Sequence, residues 1–161
     1  MRPTVSLTLI AIDRIRSGVM QTTKHAHTVW EGSARDGAGK ITSQSNALQN
    51  QKLSFKKRFE DERGTNPEEL IAAAHSACFS MALAYALDQS GHTASKLDTD
   101  AEVTLESDGD GYRVSRSVLK LNAMVPSMDR EEFARIAESA KANCPISKLL
   151  DTEIKLEWKL N

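Results

Sequence analysis

The sequence predicts an α+β fold with antiparallel sheets, and three observations carry that reading. Three stretches alternate apolar and polar residues with the period of a strand: Ala101, Val103 and Leu105; Leu119, Leu121, Ala123 and Val125; Ile154, Leu156, Trp158 and Leu160. One stretch, Leu70 to Leu87, is apolar on nearly every side and follows a helix-start signal. The strand runs outnumber the helical ones and are not each separated by a helix, which favours antiparallel pairing over a doubly wound parallel sheet.

The elements follow in chain order. Val5, Leu7 and Leu9 alternate with Ser6 and Thr8, as in a short strand. His27 to Ser45 holds two extended runs around Asp36-Gly37, a hairpin signal. Gln51 to Glu60 reads as a third strand, with Leu53, Phe55 and Phe59 on one face and Lys57 as the exception. Asn66-Pro67-Glu68-Glu69 then opens a helix. Asn66 suits the N-cap, Pro67 the first helical position, and Glu69 the third position of a capping box. This helix should run to about Gln89, with Gly91 near its stop. Its only polar groups between Leu70 and Leu87 are His75, Ser76, Ser80 and Tyr85. A helix without a polar face must be wrapped on every side, and a second subunit is expected to supply part of the cover. Asp108-Gly109-Asp110-Gly111 turns the next two strands, with a bulge expected near Ser115 to Ser117 where the apolar parity changes. Asp129 and Glu132 cap a helix to about Ala142, Cys144-Pro145 starts a short helix to Leu150, and the run ending at Leu160 is the closing strand.

Composition narrows the function. A chain of 161 residues supports one domain with a real core. Its net charge of -1 leaves no electrostatic footprint for nucleic acid. The apolar run at Val5 to Ile12 is too short to span a bilayer and is broken by Asp13 and Arg14, so no membrane role is expected. Two cysteines are too few for a secreted disulfide scaffold, which favours a reducing cytoplasm.

Cys78, inside the apolar helix, and Cys144, at the start of the short one, are the two thiols of the chain. A pair of this kind invites redox chemistry, in which one thiolate attacks and the other resolves the product into a disulfide. On the cysteines alone, two unrelated core thiols are the more economical reading. Their surroundings change it. Arg58-Phe59-Glu60, the block Gly64 to Leu83 containing Ala74-His75-Ser76-Ala77-Cys78, and the later Cys144-Pro145 closely resemble the OsmC family. This is the osmotically inducible protein C and organic hydroperoxide resistance group of peroxidases, and the block ending at Cys78 resembles the OsmC branch. The resemblance covers residues 20–160. Residues 1–19 stand before the usual family start near Met20, as a true extension or an upstream start codon, and residues 20–161 form the OsmC-like peroxidase domain.

The resemblance implies the OsmC-like fold, antiparallel sheets wrapped around long central helices in an intertwined homodimer. It implies thiol-dependent reduction of organic hydroperoxides, with a dithiol as reductant and no prosthetic group. Position by position, Cys78 matches the peroxidatic cysteine and Cys144 the resolving one. Arg58 matches the arginine that steadies the thiolate, and Glu69 the acid that orients Arg58. A fixed cation is needed, because a free thiol near pKa 8.5 is only a few per cent ionised at neutral pH and burial lowers that further. One local argument points the other way: the helix start at Cys144 makes it the more acidic thiol. Glu69 and Cys78 lie nine residues apart, which at about 100° each leaves them on opposite helix faces. Arg58 and Glu69 are therefore expected to serve Cys78 of the partner subunit, across the dimer interface.

His75, three residues before Cys78, would polarise the site, ligate a metal, or sit hydrogen-bonded in the core, and the last is the simplest account. No cluster with zinc-ligand spacing accompanies it. The competing function class is a non-catalytic stress-protection or small-molecule-binding module on the same fold. The presence of both cysteines with Arg58 and Glu69 argues against it.

Overall fold

The computed structural model describes residues 21–60 and 62–161. The strand expected at Val5 to Ile12 and the extension 1–19 lie outside the described residues.

The first three strands form one antiparallel sheet in the order β1 (Ala26–Glu31), β2 (Ala38–Ser43), β3 (Gln51–Ser54). The Asp36-Gly37 turn joins β1 to β2, pairing Glu31 with Ala38. Gly39 is required for packing rather than for its backbone angles: a Cβ there would come within 2.8 Å of the Trp30 ring. The third strand is shorter than the alternation predicts. It ends at Ser54, whose hydroxyl accepts the Lys57 N–H at 3.2 Å and caps a short helix, α1 (Phe55–Phe59). A local serine cap overrides strand periodicity here.

The long helix α2 (Pro67–Gln89) keeps the expected boundaries. Asn66 Oδ1 accepts the Glu69 N–H at 2.8 Å, while Asn66 Nδ2 donates to the Lys57 carbonyl at 3.2 Å, so one residue caps α2 and ties it to α1. At the other end Gly91 takes φ +83°. Gly91 N–H donates to Asp88 O and His92 N–H to Leu87 O, closing the helix in a Schellman turn.

β4 (Lys96–Asp108) and β5 (Gly111–Met124) form an antiparallel hairpin. Thr104 pairs with Arg116 and Leu105 with Val114, so Ser115 is the extra residue of a bulge, within the span that the change of parity marks. α3 (Arg130–Asn143) starts on Asp129, whose carboxylate accepts the N–H groups of Glu131 and Glu132. α4 (Pro145–Leu149) follows immediately. β6 (Glu153–Leu160) then returns beside β5 in parallel, giving a mixed sheet of order β4-β5-β6. The expectation of antiparallel sheets is thus corrected for this pair. The chain crosses back through α3 and α4, and such a helical crossover delivers the next strand in the same direction.

The core lies between this mixed sheet and its helices. Phe79, Leu83 and Leu87 form one stripe of α2, and they meet Leu119, Leu121 and Ala123 of β5 and Phe133, Ala137 and Ala140 of α3. Each large side chain buried this way contributes about 1.5–3 kcal/mol. Phe133 also meets Trp158 edge-on, ring centroids 5.1 Å apart, and Arg130 covers the Trp158 face. By length and composition α2 could cross a membrane. Its opposite face is not covered by the described residues, and there Met81 is 67% and Tyr85 68% exposed.

Candidate active site

The two thiols meet. Cys78 sits on α2, half-buried, and Cys144 is the fully buried residue between α3 and α4. Both are free, Cys78 packs against the core cluster that holds Cys144, and each thiol acts on the ionisation of the other. α4 brings this about: its start at Pro145 aims backbone N–H groups at the thiols, that of Ile146 toward both and that of Ser147 toward Cys144.

Their electrostatics differ. Burial pushes the Cys78 thiol up, its neighbour Cys144 pushes it further, and the Ile146 N–H acts in the opposite direction. Burial also raises Cys144. The Cys78 thiol, the Ser147 N–H and hydroxyl, and the Ile146 N–H outweigh that and draw Cys144 down. Within one chain Cys144 is therefore the more acidic thiol, as its position at a helix start implies.

His75 lies one turn before Cys78 and is fully buried. Its Nδ1 is 2.8 Å from Ser117 Oγ of β5, and its Nε2 is 2.9 Å from Ser147 Oγ of α4. Burial pushes its pKa down, so the ring is neutral.

The second pair lies at the start of α2. Arg58 Nε donates to Glu68 Oε2 at 3.0 Å and Nη2 donates to Oε1 at 2.6 Å, a bidentate fork. The acid that holds Arg58 is Glu68 and not Glu69, which corrects the sequence expectation. Successive helix residues point about 100° apart, so only one of the two glutamates faces α1. Glu68 is half-buried and faces it, whereas Glu69 is exposed and gives its N–H to the Asn66 cap. Glu69 still lines the cleft that holds Arg58 and Glu68, opposite Ala101, Val103 and Leu105 of β4. On the other side of Arg58 is an apolar cleft of about 490 Å³ walled by Trp30, Leu53, Phe55, Phe59, Pro67 and Tyr112.

These two pairs are not brought together in one chain. Glu68 precedes Cys78 by ten residues of one continuous helix, about 15 Å along its axis. Neither cysteine lines the apolar cleft beside Arg58. The residues that sequence reasoning passed over are Glu68, Ser117 and Ser147. Ser147 carried a signal, three residues after Cys144 in the first turn of α4. Ser117 carried none.

The family model described as OsmC-like protein matches residues 59–159. The chain is 43% identical over 137 residues to Peroxiredoxin OsmC of Escherichia coli (strain K12), covering 85% of this chain and 96% of that protein. The chain belongs to the OsmC family. It is also 30% identical over 131 residues to the organic hydroperoxide resistance protein OhrB of Bacillus subtilis (strain 168), covering 79% of this chain and 94% of that one. The crystal structure of Bacillus subtilis OhrB matches with a TM-score of 0.66 at 28% identity, over 84% of this chain and 98% of that chain. An OsmC-like protein of unknown function from Vibrio cholerae shares the fold, with a TM-score of 0.69 at 16% identity over 86% and 100% of the two chains.

Proposed function

We propose that this OsmC-family protein is a thiol-dependent peroxidase that reduces organic hydroperoxides to alcohols. The observation that carries the reading is the meeting of the chain's two free thiols, one half-buried and one wholly buried. Cys78, the accessible one, attacks. Its thiolate takes the outer peroxide oxygen, the O–O bond breaks, and the alkoxide leaves and is protonated to the alcohol. Cys144 then attacks the Cys78 sulfenic acid, the S–O bond breaks, and hydroxide leaves as water with the formation of a disulfide. A dithiol restores both thiols by exchange. The relatives named a peroxiredoxin and organic hydroperoxide resistance proteins support this chemistry, and the aromatic cleft beside Arg58 suits an apolar peroxide substituent. No step calls for a prosthetic group or a metal.

Cys78 needs a cation for its thiolate, and the influences that shift it within one chain are burial, Cys144 and the Ile146 N–H. We place the missing charge on Arg58 of the partner subunit, held by Glu68 of that same subunit, in a homodimer with two shared sites. The exposed apolar face of α2 and the wholly exposed first strand support this assembly. A cytoplasmic setting, which keeps both thiols reduced between turnovers, completes the reading. The peroxidase domain is residues 20–161, and a chain starting at Met20 should keep full turnover.

Purified protein mixed with tert-butyl hydroperoxide and dithiothreitol should consume the peroxide. Cys78→Ser should abolish consumption. Cys144→Ser should allow one turnover and leave a sulfenic acid on Cys78. If Cys144→Ser blocks the first oxidation as completely as Cys78→Ser does, the roles are reversed.

A further inference from the structure

His75, Ser117 and Ser147 form a polar chain inside an otherwise apolar core: His75 and Ser117 are fully buried and Ser147 is 9% exposed. The hydrogen bonds of 2.8 and 2.9 Å run from β5 through α2 to α4, where Ser147 stands three residues after Cys144 in the first turn and its hydroxyl favours the Cys144 thiolate. An apolar side chain would fill the place of His75 without desolvating three polar groups. The peroxidase steps derived above make no use of it.

We propose that Ser117–His75–Ser147 is a positioning relay that turns the Ser147 hydroxyl hydrogen onto the Cys144 sulfur, so that Cys144 reacts as a thiolate. A neutral imidazole has one donor and one acceptor nitrogen. If Nε2 accepted from Ser147, that serine would have no hydrogen left for Cys144. The relay therefore requires the other tautomer: Nε2–H donates to Ser147 Oγ, Ser147 O–H donates to the sulfur, and Ser117 O–H donates to Nδ1. Ser117 selects the tautomer, His75 transmits it and Ser147 applies it. The titratable group that acts on the sulfur directly is Cys78 of α2, and His75 of α2 reaches it only through Ser147.

The inference rests on the peroxidase reading and deepens it. A stabilised Cys144 thiolate acts twice. It attacks the sulfenic sulfur of Cys78, forming S–S and releasing hydroxide. It is later the leaving group: a reductant thiolate attacks the more accessible Cys78 sulfur, the S–S bond breaks, and its electron pair departs on Cys144. The second reductant thiolate then displaces Cys78 and closes the reductant's own disulfide. Exchange is faster the lower the pKa of the leaving thiol.

The test reads Cys144 alone. In a Cys78→Ser chain Cys144 is the single thiol, and its thiolate absorbance is followed against pH. Ser147→Ala and His75→Asn should each raise the midpoint by about one unit or more, the loss of a hydrogen bond to a charged group. His75→Gln, whose amide nitrogen lies where Nε2 does, should raise it far less, and Ser147→Thr should retain the wild-type value. In the two-cysteine chain, with the disulfide formed by a thiol oxidant, Ser147→Ala should slow reduction by dithiothreitol at least about threefold. It should not slow oxidation of Cys78, because a less acidic Cys144 holds the shared proton more tightly and leaves Cys78 the freer to ionise. Equal shifts for His75→Asn and His75→Gln would mean a merely structural network, as would an unchanged midpoint in Ser147→Ala. Either result overturns the relay. A wild-type chain inert to peroxide that still shows this titration pattern would remove the peroxidase reading and leave the hold of Ser147 on the thiolate standing.

Discussion

The β4-β5-β6 sheet with α2 and α3 buries Phe79, Leu83, Leu87, Leu119 and Phe133 completely, whereas every residue of β1 is exposed. In β2 and its turn, Gly37 and Gly39 are the buried residues. The two regions also divide the chemistry. The thiols sit in the packed region, and the bidentate Arg58–Glu68 pair stands where the thin sheet joins α2. A three-stranded sheet that buries so little apolar surface is marginal in water. The contrast teaches that the described residues leave the first sheet largely uncovered, and that Arg58 stands with this sheet rather than with the thiols.

The largest effect expected is in the packed region. Phe79→Ala should cost about 3–5 kcal/mol, read as a fall in the urea midpoint with little change in slope. A cost below about 1 kcal/mol would mean that the core is looser than its burial implies.

Catalysis should break next. Arg58→Ala should lower peroxide turnover about a hundredfold with both thiols intact, and Arg58→Lys should restore part of it, since lysine keeps the charge and loses the planar fork. Mixing a Cys78→Ser chain with an Arg58→Ala chain sharpens the comparison. Heterodimers should regain about half of the wild-type sites. No recovery despite confirmed subunit exchange would place both pairs in one chain and dissolve the division described here.

Trp30→Ala probes the thin sheet. Within one chain Trp30 is 42% exposed, so truncation should cost less than about 1 kcal/mol if the face is free. We expect a larger cost that grows on dilution, measured by sedimentation and urea unfolding at several concentrations. A small, concentration-independent cost would show that no second copy lies on this face.

The smallest effect concerns His75. Its folded pKa is depressed by burial, so the unfolded chain takes up a proton that the folded chain refuses as pH falls through about 6.5. Stability is thus fully present above that pH and lost below it. His75→Gln should flatten the slope of stability between about pH 6.5 and 5, and an unchanged slope would show that another group sets it.

The sequence by itself determined the elements with local causes. The Asn66-Pro67 cap and Gly91 set both ends of α2, Asp129 started α3, and the parity change marked the span Ser115 to Ser117 in which the bulge falls, because each signal acts over only a few residues. The family block marked Cys78 and Cys144 as a candidate pair. Other features required the tertiary structure. Glu68 rather than Glu69 holds Arg58 because α1 lies against one side of the first turn of α2, an orientation that adjacent glutamates do not encode. β6 runs parallel to β5 because α3 and α4 carry the chain back over the sheet. His75 finds Ser117 and Ser147, 42 and 72 positions away. No short-range pattern specifies such partners: the same serines would serve equally well in turns or on a surface until packing places their hydroxyls on the imidazole.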